Sequence, residues 1–223
     1  QVWPINPHRK SIAGYKCFQD ISDLPGVPDT AFIGVNRTKT LEILTKLNEV
    51  GCGGATCFAA GFSEVDKYGK QLQKKLSKAS KDMPFLGPNC YGYINYLDHI
   101  HMWPDQHGGK EVEKGVAIIA QSSNIAINLT MNTRSTPIAY VLTTGNQAKI
   151  DMSDLGLAMI NDKRVTAIGI YIEGFKDIKK FEKMAFSALR SNIPIVVLKS
   201  GKTDLSKKQS FSHTASITGD SDI

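Results

Sequence analysis

The chain has 223 residues, of which 41% are hydrophobic and 22% are charged. This composition is sufficient for one large folded domain or two compact ones, and it excludes an intrinsically disordered chain. The net charge of +6 is compatible with a nucleic acid, an anionic membrane surface or a phosphate-rich small ligand, and it does not choose among them.

The cysteines and the hydropathy of the chain indicate the cellular compartment in which we expect the protein. The cysteines at positions 17, 52, 57 and 90 form no C-x-x-C pair, so neither a zinc ribbon nor a disulfide scaffold is indicated. No apolar run approaches the about 20 residues that cross a membrane, and the N-terminus lacks the pattern of a signal peptide. We therefore expect a soluble, cytoplasmic protein that does not bind membranes.

In the first half of the chain, short apolar runs alternate with segments of helical period. Residues 2–7 indicate a strand already under way that runs into a turn, so the sequence looks like a fragment of a longer chain. Apolar runs at 30–35, 55–60 and 83–86 predict three further strands. Two predicted helices lie between these runs, the first ending at Gly51. Their apolar faces consist of Leu41, Leu44, Leu47 and Val50, and of Tyr68, Leu72, Leu76 and Ala79.

Residues 93–114 interrupt this alternation with prolines, glycines and histidines, and we place a domain boundary there, between residues 1–110 and 111–223. Strands at 116–120, 139–142, 165–173 and 193–198 then alternate with helices at 124–131, 154–160 and 177–190. The last helix aligns Ile178, Phe181, Ala185 and Leu189. The fold class is therefore α/β, with two doubly wound parallel-sheet units, the first lacking its opening and the second its end.

Ligands of open parallel sheets bind at the carboxyl ends of the strands. Gln121, Ser122, Ser123 and Asn124 follow such a strand and open a helix, so backbone N–H groups and the positive end of the helix dipole point away from the strand end. This arrangement predicts an anion site. The alternative is that Ser123 only caps the helix.

Several other patterns are weaker. His99, His101 and His107, with Asp98 and Asp105, match no established metal-ligand spacing, so we interpret them as a polar connector and expect no metal site. The lysines at 67, 70, 74, 78 and 81 are interpreted as a solvated helix face rather than a nucleic-acid-binding stripe. No glycine pattern matches a P-loop or a dinucleotide-binding turn.

Glu173 and His213 form a candidate catalytic pair. Glu173 ends an apolar strand and is followed by Gly174, and we expect a carboxylate at a strand end to point into the ligand crevice. His213 lies in a polar loop, where core packing does not explain it. A carboxylate that accepts a hydrogen bond from imidazole Nδ1 leaves Nε2 as a nucleophile. The alternative is an exposed histidine without function.

Seven short segments carry a resemblance that covers essentially the whole chain. They are PINP at 4–7, AGFSE at 60–64, LGPNCYG at 86–92, AQS at 120–122, GNQA at 145–148, YIEG at 171–174 and SHT at 212–214. In this order they resemble the NDP-forming acyl-CoA synthetases, which include the α subunit of succinyl-CoA synthetase and ADP-forming acetate–CoA ligases. The resemblance implies a Rossmann-like CoA-binding domain followed by a flavodoxin-like CoA-ligase domain.

The resemblance also implies an activity: a carboxylic acid, CoA and ATP give acyl-CoA, ADP and phosphate through acyl-phosphate and phosphohistidine intermediates. His213 would be phosphorylated, Glu173 would orient it, and the helix start at residues 121–124 would hold the phosphate. Arg9 or Lys10 would contact a CoA phosphate. The positions implied to line the CoA site are Asn6, Arg9, Lys10, Val35, Asn36, Phe58, Ala59, Ala60 and Asn89.

The sequence departs from the family pattern in two ways. Ser123 stands where the family usually has glycine, which narrows the room for backbone to approach a phosphate. A glycine-rich CoA loop before Val2 and an ATP-grasp module, which would use ATP and Mg²⁺, are not in the sequence. We therefore expect the chain to be inactive alone, to need an ATP-grasp domain or β-type subunit, and to form an oligomer.

Three alternatives remain. One is a branch of the same family that activates dimethylsulfoniopropionate as a CoA thioester before cleaving it. Another is a non-catalytic CoA-sensing module such as the one fused to protein acetyltransferases, although a sensor needs neither Glu173 nor His213. A nucleic-acid-binding protein is a distant third, so we expect no nucleic-acid partner.

Overall fold

The structure is a computed structural model that describes residues 1–200. Its first unit contains a parallel sheet in which β4 lies between β3 and β5. In chain order the elements are β1 (Ser11–Ile12), β2 (Tyr15–Lys16), β3 (Ala31–Ile33), α1 (Arg37–Glu49), β4 (Ala55–Cys57), α2 (Lys67–Ala79) and β5 (Phe85–Leu86). The predicted alternation of parallel strands and helices is confirmed in this unit.

The opening of the chain is not the strand that its apolar residues predict. Only Ile5 pairs, through a single parallel bridge with Phe18. Pro4 and Pro7 have no N–H to donate to a ladder, so the segment cannot continue as a paired strand.

The core of the first unit lies between the sheet and its two helices. All three residues of β4 are buried, as are Leu44 of α1 and Leu76 of α2. Each helix begins at a side-chain cap, because Asn36 and Asp66 accept hydrogen bonds from the first turns of α1 and α2. These caps fix the residues at which α1 and α2 begin.

The second unit is a six-stranded sheet with the order β11, β10, β8, β9, β6, β7. Its elements are β6 (Tyr93–Asn95), β7 (Ile100–Met102), β8 (Gly115–Ala120), α3 (Ser123–Thr130), β9 (Ile138–Thr143), α4 (Met152–Asn161), β10 (Val165–Ile172), α5 (Ile178–Arg190) and β11 (Ile195–Lys199). The four strands from β11 to β9 are parallel, as predicted. Among residues 1–200, no helix is long and apolar enough to cross a membrane.

Residues 93–114, expected to be an irregular connector, contain the antiparallel β6–β7 hairpin. β6 pairs with β9, and its neighbourhood buries Ile94 and Tyr96, which are 0% and 2% exposed. Arg164 donates to Asp98 at 2.7 Å and ties the hairpin turn to the second unit. The hairpin lies before the boundary expected after residue 110, yet its strands belong to the sheet of the second unit. The division at residue 110 itself stays a prediction.

Two predicted helix faces are only partly correct. Tyr68 is 57% exposed and lies outside the core, and its ring packs against Arg37, with 5.3 Å between the guanidinium carbon and the ring centroid. On α5, Leu189 is 72% exposed whereas Met184 is fully buried. The buried face of α5 is set by its contact with α4. There Met184 packs so closely against Gly156 that a Cβ on residue 156 would lie 2.2 Å from the Met184 sulfur.

Candidate active site

The carboxyl ends of β8 and β10 bring Gln121 and Glu173 into contact. Both side chains are buried. Gln121 Oε1 accepts hydrogen bonds from the backbone N–H of Glu173 at 2.9 Å and of Gly174 at 3.1 Å. β8 and β10 are neighbouring parallel strands and end at the same edge of the sheet. The turn that carries Glu173 is therefore held by the residue that precedes the start of α3.

The start of α3 has a different side-chain arrangement from the one expected. Ser122 is the N-cap residue, and it makes no side-chain capping bond. Ser123 is the first helical residue, so the interpretation of Ser123 as the cap is wrong. Its Oγ instead accepts a hydrogen bond from Tyr91 N–H at 3.0 Å. Ser123 thus joins α3 to a loop of the first unit. The backbone N–H groups in the first turn of α3, including that of Asn124, point out of the helix at this edge of the sheet.

The loop after β9 packs tightly against the first unit. Gly145 has φ +50°, and a Cβ there would lie 2.4 Å from the carbonyl oxygens of Pro88 and Asn89, so no side chain fits. Gln147 also has a positive φ of +52°, and its carbonyl accepts a hydrogen bond from Lys176 Nζ at 2.5 Å. Burial lowers the pKa of Lys176. This loop therefore contacts both the first unit and the segment after Glu173.

An open crevice of about 460 Å³ lies between α2 and the strand-end loops of the second unit. Three lysines of α2 line one side, at positions 70, 74 and 78, and Lys176 lies among the lining residues from the second unit. Gln121 and Phe175 also contribute, and no carboxylate belongs to the lining among the described residues. The five lysines interpreted as a solvated face are exposed, as expected, but three of them also give this crevice a positive charge.

Most positions implied for CoA follow the strands of the first sheet. The three groups are Val35 and Asn36 after β3, Phe58, Ala59 and Ala60 after β4, and Asn89 after β5. Asn89 N–H donates to the Ala59 carbonyl at 3.0 Å, which brings two of these strand ends together. Phe58 is 37% exposed, with its ring centroid 5.5 Å from that of Tyr91. The side chain of Asn36 is engaged in capping α1.

The remaining implied CoA positions lie in the opening turn of the chain. Asn6 donates its N–H to the Phe18 carbonyl at 2.9 Å, and its Oδ1 accepts from His8 N–H at 2.9 Å. Arg9 and Lys10 are exposed. The side chains of both are therefore accessible to an anionic ligand.

The histidines of residues 99–107 support the hairpin. His101 and His107 are in edge contact at 4.9 Å, and the Tyr96 hydroxyl lies 3.0 Å from His107 Nδ1. Burial, together with the nearby His107 and His99, lowers the pKa of His101. His99 faces Glu111 at 3.0 Å. Within residues 1–200, no group of three or more histidine, cysteine or acidic side chains is arranged to hold a metal ion.

Three polar residues to which the sequence patterns assign no role form a cluster between the two units: Glu64, Gln73 and Asn146. Glu64 and Asn146 belong to two of the segments that carry the resemblance, and this was the signal available in the sequence. The predicted phosphoryl acceptor His213 lies outside the described residues. Its pairing with Glu173 therefore stays a prediction.

Comparison with known protein families assigns both parts of the chain. The family described as a CoA binding domain matches residues 1–96, and the family described as a succinyl-CoA ligase like flavodoxin domain matches residues 113–223. Both were implied by the resemblance. These matches confirm the predicted fold class, a CoA-binding domain followed by a flavodoxin-like ligase domain.

Individual relatives agree with this assignment. The ADP-forming acetate–CoA ligase of Methanocaldococcus jannaschii is 34% identical over 99% of this chain and 31% of its own length. The α subunit of ADP-forming acetate–CoA ligase II from Pyrococcus furiosus is 30% identical over 98% of this chain and 48% of its own length. The apo structure of dinucleotide forming acetyl-coenzyme A synthetase 1 from Ca. Korarchaeum cryptofilum is 30% identical and superposes with a TM-score of 0.84, over 97% of this chain and 47% of that one. The chain thus spans about a third to a half of the length of these relatives.

Proposed function

The chain belongs to the NDP-forming acyl-CoA synthetase superfamily, and from this premise we propose that it is the CoA-binding and phosphohistidine part of an ADP-forming acyl-CoA synthetase. In the proposed reaction, a carboxylic acid, CoA and ATP give acyl-CoA, ADP and phosphate. The observation that carries the proposal is the buried Glu173, whose turn is held by Gln121 at the edge where α3 begins. A carboxylate at this strand end is in position to accept a hydrogen bond from an imidazole brought to the same edge.

His213 is the proposed phosphoryl acceptor. Its Nε2 bonds to the γ-phosphorus of ATP as the bond to ADP breaks, and the phosphoryl group then passes to the carboxylate of the acid. The CoA thiol attacks the resulting acyl-phosphate at the acyl carbon, and phosphate leaves as the thioester forms. Glu173 accepts a hydrogen bond from Nδ1–H, which fixes the tautomer and stabilises the positive charge that develops on the ring.

The start of α3 is the proposed phosphate site. Backbone N–H groups from Ser122 to Asn124, together with the positive end of the helix dipole, stabilise the negative charge of a phosphoryl group at this position. Gln121 contributes by a different route from the one expected, because its Oε1 is engaged with the backbone of Glu173 and Gly174. It positions Glu173.

We place CoA along the carboxyl edge of the first sheet. Phe58 offers an exposed apolar ring to the pantetheine arm, and the accessible side chains of Arg9 and Lys10 suit the CoA phosphates. The thiol end would then reach the junction of the two units, where Ser123 accepts its hydrogen bond from Tyr91.

The rest of the enzyme is supplied by a partner. An ATP-grasp module, in a longer chain or in a β-type subunit, would provide ATP with Mg²⁺, and an oligomer follows if the module is a separate subunit. Support comes from the relative that is named as an α subunit and from the share of the relatives that this chain spans. The four cysteines are free and buried, which suits a reducing cytoplasm.

Phosphate transfer tests the proposed phosphohistidine. The chain is incubated with an ATP-grasp partner and ATP labelled in the γ-phosphate, and the labelled residue is mapped. We expect a base-stable, acid-labile label on His213 that is absent from His213→Ala and present in the control His8→Ala. Glu173→Gln should slow labelling by about 100-fold or more while the fold is retained. A label on another residue, or a wild-type rate in Glu173→Gln, contradicts the proposal.

Calorimetry tests the proposed CoA site. Replacing Arg9 and Lys10 together by alanine should weaken CoA binding by about 10-fold or more, because charge-assisted contacts to phosphate are lost. The matched control is Lys110→Ala, an exposed lysine of the hairpin region, which should leave the affinity unchanged. Equal affinity of the double variant and the control would remove both residues from the site.

A further inference from the structure

The carboxylate of Glu64 lies where the two units meet, and each of its oxygens serves a different unit. Oε1 accepts hydrogen bonds from the backbone N–H of Gly61 at 2.5 Å and Phe62 at 3.2 Å, within its own loop. Oε2 accepts a hydrogen bond from Asn146 Nδ2 at 2.5 Å, in the loop after β9 of the second unit. One half-buried side chain therefore connects a loop of each unit.

The amide of Asn146 completes this connection. Its Nδ2 carries two hydrogens and donates to two acceptors, Glu64 Oε2 and Gln73 Oε1 at 3.0 Å. Gln73 Oε1 in turn accepts from Ser63 N–H at 3.3 Å. Both acceptors belong to the first unit, so the side chain of Asn146 is oriented entirely by residues across the junction.

The backbone of the Asn146 loop has an uncommon conformation that depends on contacts with its surroundings. Its neighbours Gly145 and Gln147 both have left-handed backbone angles, φ +50° and φ +52°. For a residue other than glycine this conformation is uncommon and needs support from its surroundings. Asn146 N–H also donates to the Pro88 carbonyl at 2.9 Å, so the loop is held to the first unit by backbone and side chain together.

The two connected loops lead to the two halves of the proposed chemistry. On one side, the Glu64 loop follows Ala60, the last of the proposed CoA positions after β4. On the other side, Thr144, two residues before Asn146, donates its N–H to the carbonyl of Ala120 at 3.0 Å, and Ala120 is the residue before Gln121. The connection therefore links the CoA edge of the first sheet to the strand end that holds Glu173.

We propose that Glu64 is a positioning residue that sets the distance between the CoA thiol and the phosphoryl site by joining the two units through Asn146. The inference rests on the proposed function, because that function places the two reactants on different units. Steps that use only the second unit and the ATP-grasp partner do not need the junction. Steps in which CoA reacts with the acyl-phosphate do.

Glu64→Gln tests this with almost no change in size. The new side chain keeps one carbonyl oxygen for Gly61 and Phe62, but its amide group faces the amide of Asn146, and two donors cannot bond. We expect kcat of acyl-CoA synthesis to fall by about 10-fold to 100-fold, as for a displacement of about 1 Å between reacting groups. KM for CoA, calorimetric CoA affinity and the rate of His213 labelling from ATP should stay within about threefold of wild type.

A reversed pair and a matched control complete the experiment. Asn146→Asp alone brings two carboxylates together and should also lower kcat, whereas Glu64→Gln combined with Asn146→Asp restores a donor and an acceptor and should recover most of the activity. Glu49→Gln, at the exposed end of α1, should be silent. A wild-type kcat in Glu64→Gln, an equal loss in His213 labelling, or no recovery in the double variant would overturn the positioning role. If the wild-type chain neither binds CoA nor becomes labelled, the proposed function fails instead.

Discussion

Ser123→Ala should destabilise the protein although alanine is the better helix former. Ser123 Oγ is the acceptor for Tyr91 N–H at 3.0 Å, in a part-buried contact between the two units. Removing it leaves a backbone donor without that acceptor, at a cost of about 1–3 kcal/mol. The helix propensity of alanine returns at most about 0.5 kcal/mol. The net loss is therefore about 0.5–2.5 kcal/mol, which corresponds to a decrease in Tm of about 1–10 °C for a chain of this size.

The neighbouring Ser122→Ala is the matched control. The usual cost of replacing a serine N-cap predicts a loss of stability for this variant, whereas the structure predicts almost none. Replacing a serine N-cap usually costs about 1 kcal/mol. Ser122 makes no side-chain capping bond, so its replacement should change the free energy of unfolding by less than about 0.5 kcal/mol. Urea unfolding followed by tryptophan fluorescence compares the two variants. A larger loss for Ser122→Ala than for Ser123→Ala would refute the reasoning.

Three further predictions concern stability, pH and thiol reactivity. Gly69→Ala should lower the free energy of unfolding by about 1–3 kcal/mol in urea, because its Cβ would lie 2.1 Å from a backbone carbonyl oxygen; an unchanged midpoint contradicts this. The Arg164 guanidinium holds the pKa of Asp162 well below its ordinary value. The ionised Asp162 therefore stabilises the folded protein fully above its unfolded pKa of about 4, and this contribution is lost as the pH falls through the folded pKa. Arg164→Gln should therefore lower Tm more near neutral pH than in acid, and equal losses would exclude this account. Burial raises the pKa of Cys57, and that of Cys90 to about 12, so iodoacetamide should label both only as the protein unfolds, and labelling of the native protein would contradict the burial.

Local periodicity was sufficient for the elements whose own residues form the core. The apolar run at 55–60 contains β4, and the predicted stripe from Tyr68 to Ala79 lies within α2, because an apolar run or a stripe of period 3.6 reflects burial against one neighbouring layer. The same reasoning placed Gln121 and Glu173 at strand ends, since parallel strands share their carboxyl edge. Five of the seven segments that carry the resemblance, those that begin at residues 60, 86, 120, 145 and 171, lie at the end of a parallel strand or follow one.

Tertiary structure alone decided the contacts between distant segments. Glu64 and Asn146 are 82 positions apart and carry no local pattern that predicts their hydrogen bond. The Ser123 hydroxyl could have capped α3, and only the position of Tyr91 shows where it bonds. The β6–β7 hairpin was missed because its strands have three residues each, too few for alternation to show, and because its pairing with β9 is non-local. Sequence periodicity reports which face of an element is buried, whereas the partner of a polar side chain depends on how two units pack.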